Sequence, residues 1–144
     1  DRSVEKASTT VGLDYGMLAL DNGDRIRLFG TPGQARFDFL WQILAREALG
    51  LVILTDNSRP DPLADLAMFL DGFAESLATL PCVIGVGRLD THPHTTLEQY
   101  GDALEARNLV FPVLAADVRQ RADVVLLIDT LLGQIEAGMQ LDAP

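Results

Sequence analysis

The sequence predicts an α/β domain with three layers, in which helices cover both faces of a mostly parallel β-sheet. Short continuous apolar segments alternate with segments of helical periodicity along residues 50–138, as is typical of parallel strands buried on both faces. The pair Asn22-Gly23, between two strand-like segments, adds an antiparallel hairpin at one edge of the sheet. The 144 residues contain no repeat or linker, so residues 1–144 are expected to form one domain.

The first elements along the chain are the hairpin and a turn-rich loop. Residues 11–20 are predicted to be a strand and residues 25–29 its antiparallel partner, because Asn and Gly both tolerate the positive φ of a tight turn. Residues 1–10 are polar and begin without a methionine, which indicates a fragment that starts partway into a domain. After a loop over residues 30–34, apolar residues recur at helical spacing over residues 37–49.

The rest of the chain alternates strands and helices. Strands are predicted over residues 50–55, 82–86 and 109–114. Helices are predicted over residues 63–77, from a cap at Thr95 or Thr96 to residue 107, and over residues 119–138.

The composition excludes several classes of function. A net charge of −10 opposes binding to nucleic acid or to anionic lipid. No apolar run is long enough to span a bilayer, and no signal peptide is recognisable. We therefore expect a cytoplasmic protein that does not insert into a membrane. The single cysteine, Cys82, lies in an apolar strand and is interpreted as a buried structural thiol.

Four loops follow strands of the predicted sheet: residues 30–34, 55–57, 87–90 and 115–119. Doubly wound α/β proteins bind ligands outside the carboxyl ends of their strands, so these loops form the candidate site. Four loops that each follow a strand suggest a nucleotide pocket. His92 and His94 are also close in sequence, but their neighbours are Thr and Pro, which favours a solvated loop over a metal site.

The first loops resemble those of the Ras-like small GTPase superfamily, which has the P-loop NTPase fold. Residues 10–15 resemble switch I, and the resemblance implies that Thr10 binds Mg²⁺ and senses the γ-phosphate. Residues 30–34, Gly-Thr-Pro-Gly-Gln, resemble switch II. There the Gly33 amide would contact the γ-phosphate, and the catalytic Gln34 would orient the attacking water.

The later loops resemble the base-binding side of the same superfamily. Gly87-Arg88-Leu89-Asp90 occupies the place of the guanine-specificity loop. The Asp90 carboxylate is expected to accept hydrogen bonds from guanine, with the stem of Arg88 stacked on the base. Asp117 and Val118 fall where a backbone amide meets the guanine carbonyl oxygen.

The sequence of residues 29–37, Phe-Gly-Thr-Pro-Gly-Gln-Ala-Arg-Phe, is similar to that of a bacterial branch of small GTPases related to the gliding-motility polarity GTPase. This resemblance implies a molecular switch that binds GTP and GDP with Mg²⁺ and hydrolyses GTP slowly. It also implies a partner protein, either a small roadblock-type regulatory protein or another effector.

The sequence departs from the superfamily at three places. No G-x-x-x-x-G-K-[ST] loop is present, so the first strand, the P-loop and the first helix are expected to be absent from this truncated chain, which should not hydrolyse GTP alone. Gly30 stands where most switch II loops have Asp, and Gly87-Arg88 where the specificity loop usually has Asn-Lys. The missing strand would leave a gap between the hairpin and the strand over residues 50–55. A rearranged sheet, or a strand swapped within a homodimer, would have to fill this gap.

Two other interpretations remain open on the sequence. One is a Ras-like interaction module that no longer depends on nucleotide, which the same departures favour. The other is a flavodoxin-like or receiver-type domain, which is weakened because no acidic pair ends a first strand ahead of the hairpin.

Overall fold

The computed structural model describes the backbone of residues 3–10, 13–19, 25–30 and 48–142, and the side chains of residues 48–138. In chain order its elements are β1 (Ser3–Thr10), β2 (Leu13–Ala19), β3 (Arg25–Gly30), β4 (Leu51–Asp56), α1 (Pro62–Gly72), α2 (Ala74–Leu77), β5 (Cys82–Gly87), α3 (Leu97–Glu105), β6 (Val113–Ala115) and α4 (Arg121–Asp142). Strands and helices alternate from β4 onward, which confirms the α/β class.

The first three strands form an antiparallel sheet in the order β1-β2-β3. The predicted hairpin is confirmed, since β2 pairs with β3 from Asp14↔Gly30 to Ala19↔Arg25. The sequence predicts no strand over residues 1–10, but these residues include β1, which pairs antiparallel with β2. Its residues include the β-branched Val4, Thr9 and Thr10, which suit a strand without giving any apolar alternation.

The second sheet is parallel, in the order β4-β5-β6. The boundaries of β4 and β5 agree with the prediction to within one residue at each end. β6 is only 3 residues long, because Pro112 offers its carbonyl to the Ile84 amide at 2.9 Å but has no amide of its own to donate. Among the described strands, the hairpin and the parallel strands belong to two sheets rather than one.

The helices follow the predicted order with shifted ends. The single helix predicted over residues 63–77 is divided at Phe73, which leaves the helical conformation at φ −107° and ψ 16°. Asp61 caps α1 by accepting the Ala64 amide at 3.1 Å, and a capping box of Thr96 and Gln99 begins α3. Of the helix predicted over residues 37–49, residues 37–47 lie outside the described residues, and residues 48–49 are not helical.

Apolar side chains cover both faces of the parallel sheet. The larger cluster packs α1 and α3 on one face, and its buried members are Ile53, Leu66, Leu70, Leu77, Cys82, Ile84, Val86, Tyr100 and Leu104. The smaller cluster packs α4 on the other face around Val83, Ala116 and Leu127. Burial raises the pKa of the Cys82 thiol to about 12, which keeps it protonated and confirms the structural interpretation.

None of the helices in the described part of the chain combines the length and the apolar character needed to cross a membrane.

Candidate functional site

The parallel register brings three strand ends to one edge of the sheet. Asp56, the last residue of β4, pairs with Gly87, the last residue of β5, and Val86 pairs with Ala115 at the end of β6. The ladder continues one step further, since the Asn57 amide donates to the Gly87 carbonyl at 3.0 Å. The loops that follow these strands therefore start side by side, as the sequence predicts.

An ion pair joins the first two of these loops. The guanidinium of Arg88, a residue with a left-handed φ of 55°, contacts the Asp56 carboxylate. The other carboxylate oxygen accepts the Ser58 amide at 2.9 Å and the Ser58 hydroxyl at 2.7 Å. Burial raises the pKa of Asp56, but the Ser58 hydrogen bonds and the charges of Arg88 and His92 outweigh it and lower the pKa below its usual 3.8.

Replacement of Asp56 by asparagine is expected to lower the free energy of unfolding by about 0.5–1 kcal/mol at pH 7, as for other exposed ion pairs. The pKa of Asp56 is lower in the folded than in the unfolded chain. Its contribution is therefore complete above about pH 4 and is lost as the pH falls through the folded pKa. Urea unfolding at pH 7 and pH 3 measures this difference, with Asp102→Asn on α3 as the control. A D56N effect that persists unchanged at pH 3 would rule out the ion pair as its source.

Gly87 lies in a narrow space between its two neighbouring strands. A Cβ atom at this position would lie 3.3 Å from the Thr55 carbonyl oxygen and 3.7 Å from the Ala116 carbonyl oxygen. The first distance is tighter than side-chain carbons normally show, and a backbone oxygen within a sheet has little room to move. This crowding gives a physical reason for glycine at position 87.

Replacement of Gly87 by alanine is therefore expected to lower the free energy of unfolding by about 1 kcal/mol through overpacking. Gly101 in α3 provides a matched control, because a Cβ there meets nothing within 4 Å. Alanine at Gly101 is expected to raise the free energy of unfolding by about 0.5–1 kcal/mol through helix propensity. Equal effects of G87A and G101A in chemical denaturation would contradict the crowding at Gly87.

Asp90 follows Arg88 in the loop after β5 and is exposed. One of its carboxylate oxygens, Oδ1, accepts the Thr91 amide at 2.9 Å. Within the described residues, the second oxygen, Oδ2, accepts no hydrogen bond. The rings of His92 and His94 lie 6.3 Å apart, and the described residues contain no group of three or more metal-ligating side chains.

The third loop is held by its own charged residues. The Asp117 amide donates to the Asp123 carboxylate of α4 at 2.8 Å. The Arg119 guanidinium donates to both oxygens of the Asp117 carboxylate at 3.0 Å. The hydrogen bond from Arg119 lowers the pKa of Asp117. Val118, between them, is 55% exposed.

The structure brings the base-side candidates together and leaves the phosphate-side candidates largely undescribed. Arg88, Asp90, Asp117 and Val118 all follow strands that end at the same edge. Thr10, whose backbone alone is described, is the last residue of β1 and pairs with Leu13. Gly33 and Gln34 lie outside the described residues.

Sequence reasoning missed the part played by Asn57. Its side chain is fully buried and contacts two carbonyls of the loop after β5. The one signal available was its place, directly after a buried strand and among loop residues.

Known proteins share sequence similarity with this chain. Residues 2–139 match the model of a family described as "Conserved hypothetical ATP binding protein". Over 62 residues the chain is 31% identical to intraflagellar transport protein 22 of Chlamydomonas reinhardtii, an alignment that covers 42% of the chain and 32% of that protein. Over 56 residues it is 34% identical to an uncharacterized protein of Methanocaldococcus jannaschii, covering 39% and 36% respectively. The chain thus spans about a third of each curated relative, and these matches support a nucleotide-binding, P-loop GTPase-like relationship.

Proposed function

This chain belongs to the family described as conserved hypothetical ATP binding proteins, and we propose that the protein carrying it is a guanine-nucleotide switch of the Ras-like type. The observation that carries the proposal is the convergence of the loops after β4, β5 and β6 at one sheet edge, with Asp90 exposed among them. In parallel α/β sheets this edge is where ligands bind.

The base is proposed to bind at the loops after β5 and β6. Guanine presents two neighbouring donors, the N1–H and the exocyclic amine, and one carboxylate accepts both. Asp90 suits this role, because Oδ1 accepts the Thr91 amide while Oδ2 accepts no hydrogen bond from the described part of the chain. The Asp56 carboxylate holds Arg88, whose stem would lie against the face of the base. Since the Asp117 amide already donates to Asp123, the contact to the guanine carbonyl falls to Val118.

The phosphate side is proposed from the resemblance of the switch loops. Thr10 would bind Mg²⁺ and sense the γ-phosphate, and the Gly33 amide would contact the same phosphate group. Gln34 would orient the water that attacks it. A bound Mg²⁺ would supply positive charge for the phosphates. The strand, phosphate-binding loop and helix that complete such a domain are proposed to lie outside residues 1–144.

The free side of β4 supports the proposal of a missing strand. Among the described strands β4 ends the parallel sheet, so one edge of its backbone has no described partner strand. Leu54, in the middle of this strand, is 47% exposed although its neighbours in the sheet are buried. A strand and helix beside β4 would pair this edge and cover this side chain.

The biological setting is proposed from the same resemblance. Residues 29–37 favour the bacterial branch related to the polarity GTPase, with a roadblock-type regulatory protein or another effector as the partner. Such a switch would act in the cytoplasm, and a homodimer that exchanges strands is one way to complete the sheet.

Two competing functions have an observation in their favour. The description of the family favours an adenine nucleotide in the same pocket. An interaction module without nucleotide is favoured by two features. One is the glycine at position 87, and the other is the Asp56–Arg88 ion pair, in which the two charges of the pocket neutralise each other.

Competition binding separates these functions. Fluorescent GDP is titrated into the full natural protein with Mg²⁺, and unlabelled GTP and ATP are added as competitors. We expect GTP to displace the probe and ATP to do so at least about 100-fold more weakly, because adenine places an acceptor where guanine has the N1–H donor. Stronger competition by ATP than by GTP would favour the adenine site. No binding by protein with a folded circular dichroism spectrum would favour the interaction module.

A further inference from the structure

Asn57 is a buried polar side chain whose hydrogen bonds all run to other parts of the site. It is 0% exposed, and its Nδ2 group donates to the carbonyls of His92 at 2.9 Å and of Thr95 at 2.7 Å. Its Oδ1 accepts the Tyr100 hydroxyl at 2.7 Å. Both amide hydrogens and the carbonyl oxygen are therefore engaged, which makes this residue costly to replace.

The residues behind Asn57 fix its side chain relative to the sheet. Tyr100 is 0% exposed in α3, and its hydroxyl also accepts a hydrogen bond from Thr55 of β4 at 3.2 Å. Burial raises the pKa of Tyr100, so its hydroxyl remains a donor to Asn57 at neutral pH. The amide of Asn57 is thus held between β4 and α3.

The two carbonyls that Asn57 binds belong to the segment over residues 88–95, named here the Asp90 loop. The loop leaves β5 at Gly87 and ends where Thr96 caps α3. Within the loop the His92 amide donates to the Arg88 carbonyl at 2.9 Å. Hydrogen bonds therefore run from Asn57 through His92 to Arg88, across the turn that contains Asp90.

We propose that Asn57 is a positioning residue that holds the Asp90 loop in the shape required to recognise the base. This proposal rests on the nucleotide function proposed above. The anchor comes from the strand beside the loop, and a side chain bonded to two loop carbonyls restricts both the middle and the end of the loop. Asn57 itself has no contact with the base and acts through the position of Asp90.

The test compares two changes within the same buried network. Asn57→Ser shortens the side chain and removes the bonds to the two loop carbonyls. Tyr100→Phe removes the hydroxyl bond behind Asn57 and leaves both loop bonds in place. Thermal unfolding curves are used to choose a temperature at which both variants of the full natural protein are folded. If N57S does not fold, Asn57→Ala is used in its place.

Two readouts are then taken at that temperature. Amide hydrogen exchange over residues 88–95 is expected to become about tenfold faster in N57S and to change less than about twofold in Y100F. The preference of the protein for GDP over ADP is expected to fall about tenfold in N57S alone. A displaced Asp90 would lose about one hydrogen bond to guanine, and a loss of about 1.4 kcal/mol is a factor of ten.

The two readouts separate failure of this proposal from failure of the proposed function. Unchanged exchange of the Asp90 loop in folded N57S, or an equal change in Y100F, overturns the positioning proposal. Faster exchange with unchanged base preference overturns it as well. If the wild-type protein binds no guanine nucleotide at all, the proposed function fails, and the positioning of the base fails with it. Hydrogen exchange in N57S would still show in that case whether Asn57 anchors the loop.

Discussion

Replacement of Asp90 by alanine is expected to weaken the binding of GDP to the full natural protein by about 100-fold or more. Two guanine donors would lose their shared carboxylate acceptor, and a hydrogen bond to a charged group contributes about 1.5–3 kcal/mol. Two such bonds amount to at least about 3 kcal/mol, which corresponds to a factor above 100 in Kd. Binding of ADP should change by much less, because adenine offers no donor pair of this kind. Isothermal titration with both nucleotides measures the two effects.

Asp102→Ala is the matched control for this experiment. It removes the same carboxylate from another exposed position, in α3, and changes the net charge of the protein by the same amount. We expect its affinity for GDP to stay within about twofold of the wild type, since screening weakens distant surface charges. A D90A protein that retains wild-type GDP affinity would remove Asp90 from the site.

The second large effect is expected in the core between α1 and the sheet. Leu66 is 1% exposed and packs in the cluster that contains Ile53 and Tyr100. Leu66→Ala is expected to lower the free energy of unfolding by about 3 kcal/mol, through lost apolar burial and the cavity that remains. Urea denaturation with an unchanged m-value measures this loss.

Leu126→Ala makes the same chemical change on the surface of α4, where the side chain is 52% exposed. Its expected cost is below about 1 kcal/mol, because much of the removed surface already contacts water. If L66A and L126A were equally destabilising, the assignment of the larger cluster as the main core would be wrong.

The strands that are buried on both faces were the most predictable elements. β5 (Cys82–Gly87) is such a strand, with five consecutive buried residues, and β4 (Leu51–Asp56) begins with four apolar residues before Thr55 and Asp56. β1 was missed because Ser3–Thr10 carries polar residues and shows no alternation. The division of the helix at Phe73 was also missed, since apolar periodicity continues through it.

The candidate site was predictable in its location but not in its internal bonds. Strand ends at Asp56, Gly87 and Ala115 follow from the order of apolar segments, and parallel pairing places them together. The partners of Asn57 are backbone carbonyls 35 and 38 residues away in the chain, and one sequence holds no record of such contacts. The crowding at Gly87 likewise arises from the carbonyl of Thr55 in β4 and that of Ala116, which directly follows β6.

The loops after β5 and β6 contain both signs of charge, arranged in exposed ion pairs. Arg88 is paired with Asp56, and Arg119 is paired with Asp117. These pairs are exposed, so each is expected to contribute little to the stability of the fold in water.

The most direct measurement for the central claim is the change in backbone amide chemical shifts when GDP and Mg²⁺ are added to the ¹⁵N-labelled full natural protein. We expect saturable shifts concentrated at residues 87–90 and 115–119, at the carboxyl ends of β5 and β6. These shifts should be absent with ADP at the same concentration. Shifts confined to other surfaces, or equal shifts with GDP and ADP in these two loops, would contradict a guanine site at this edge of the sheet.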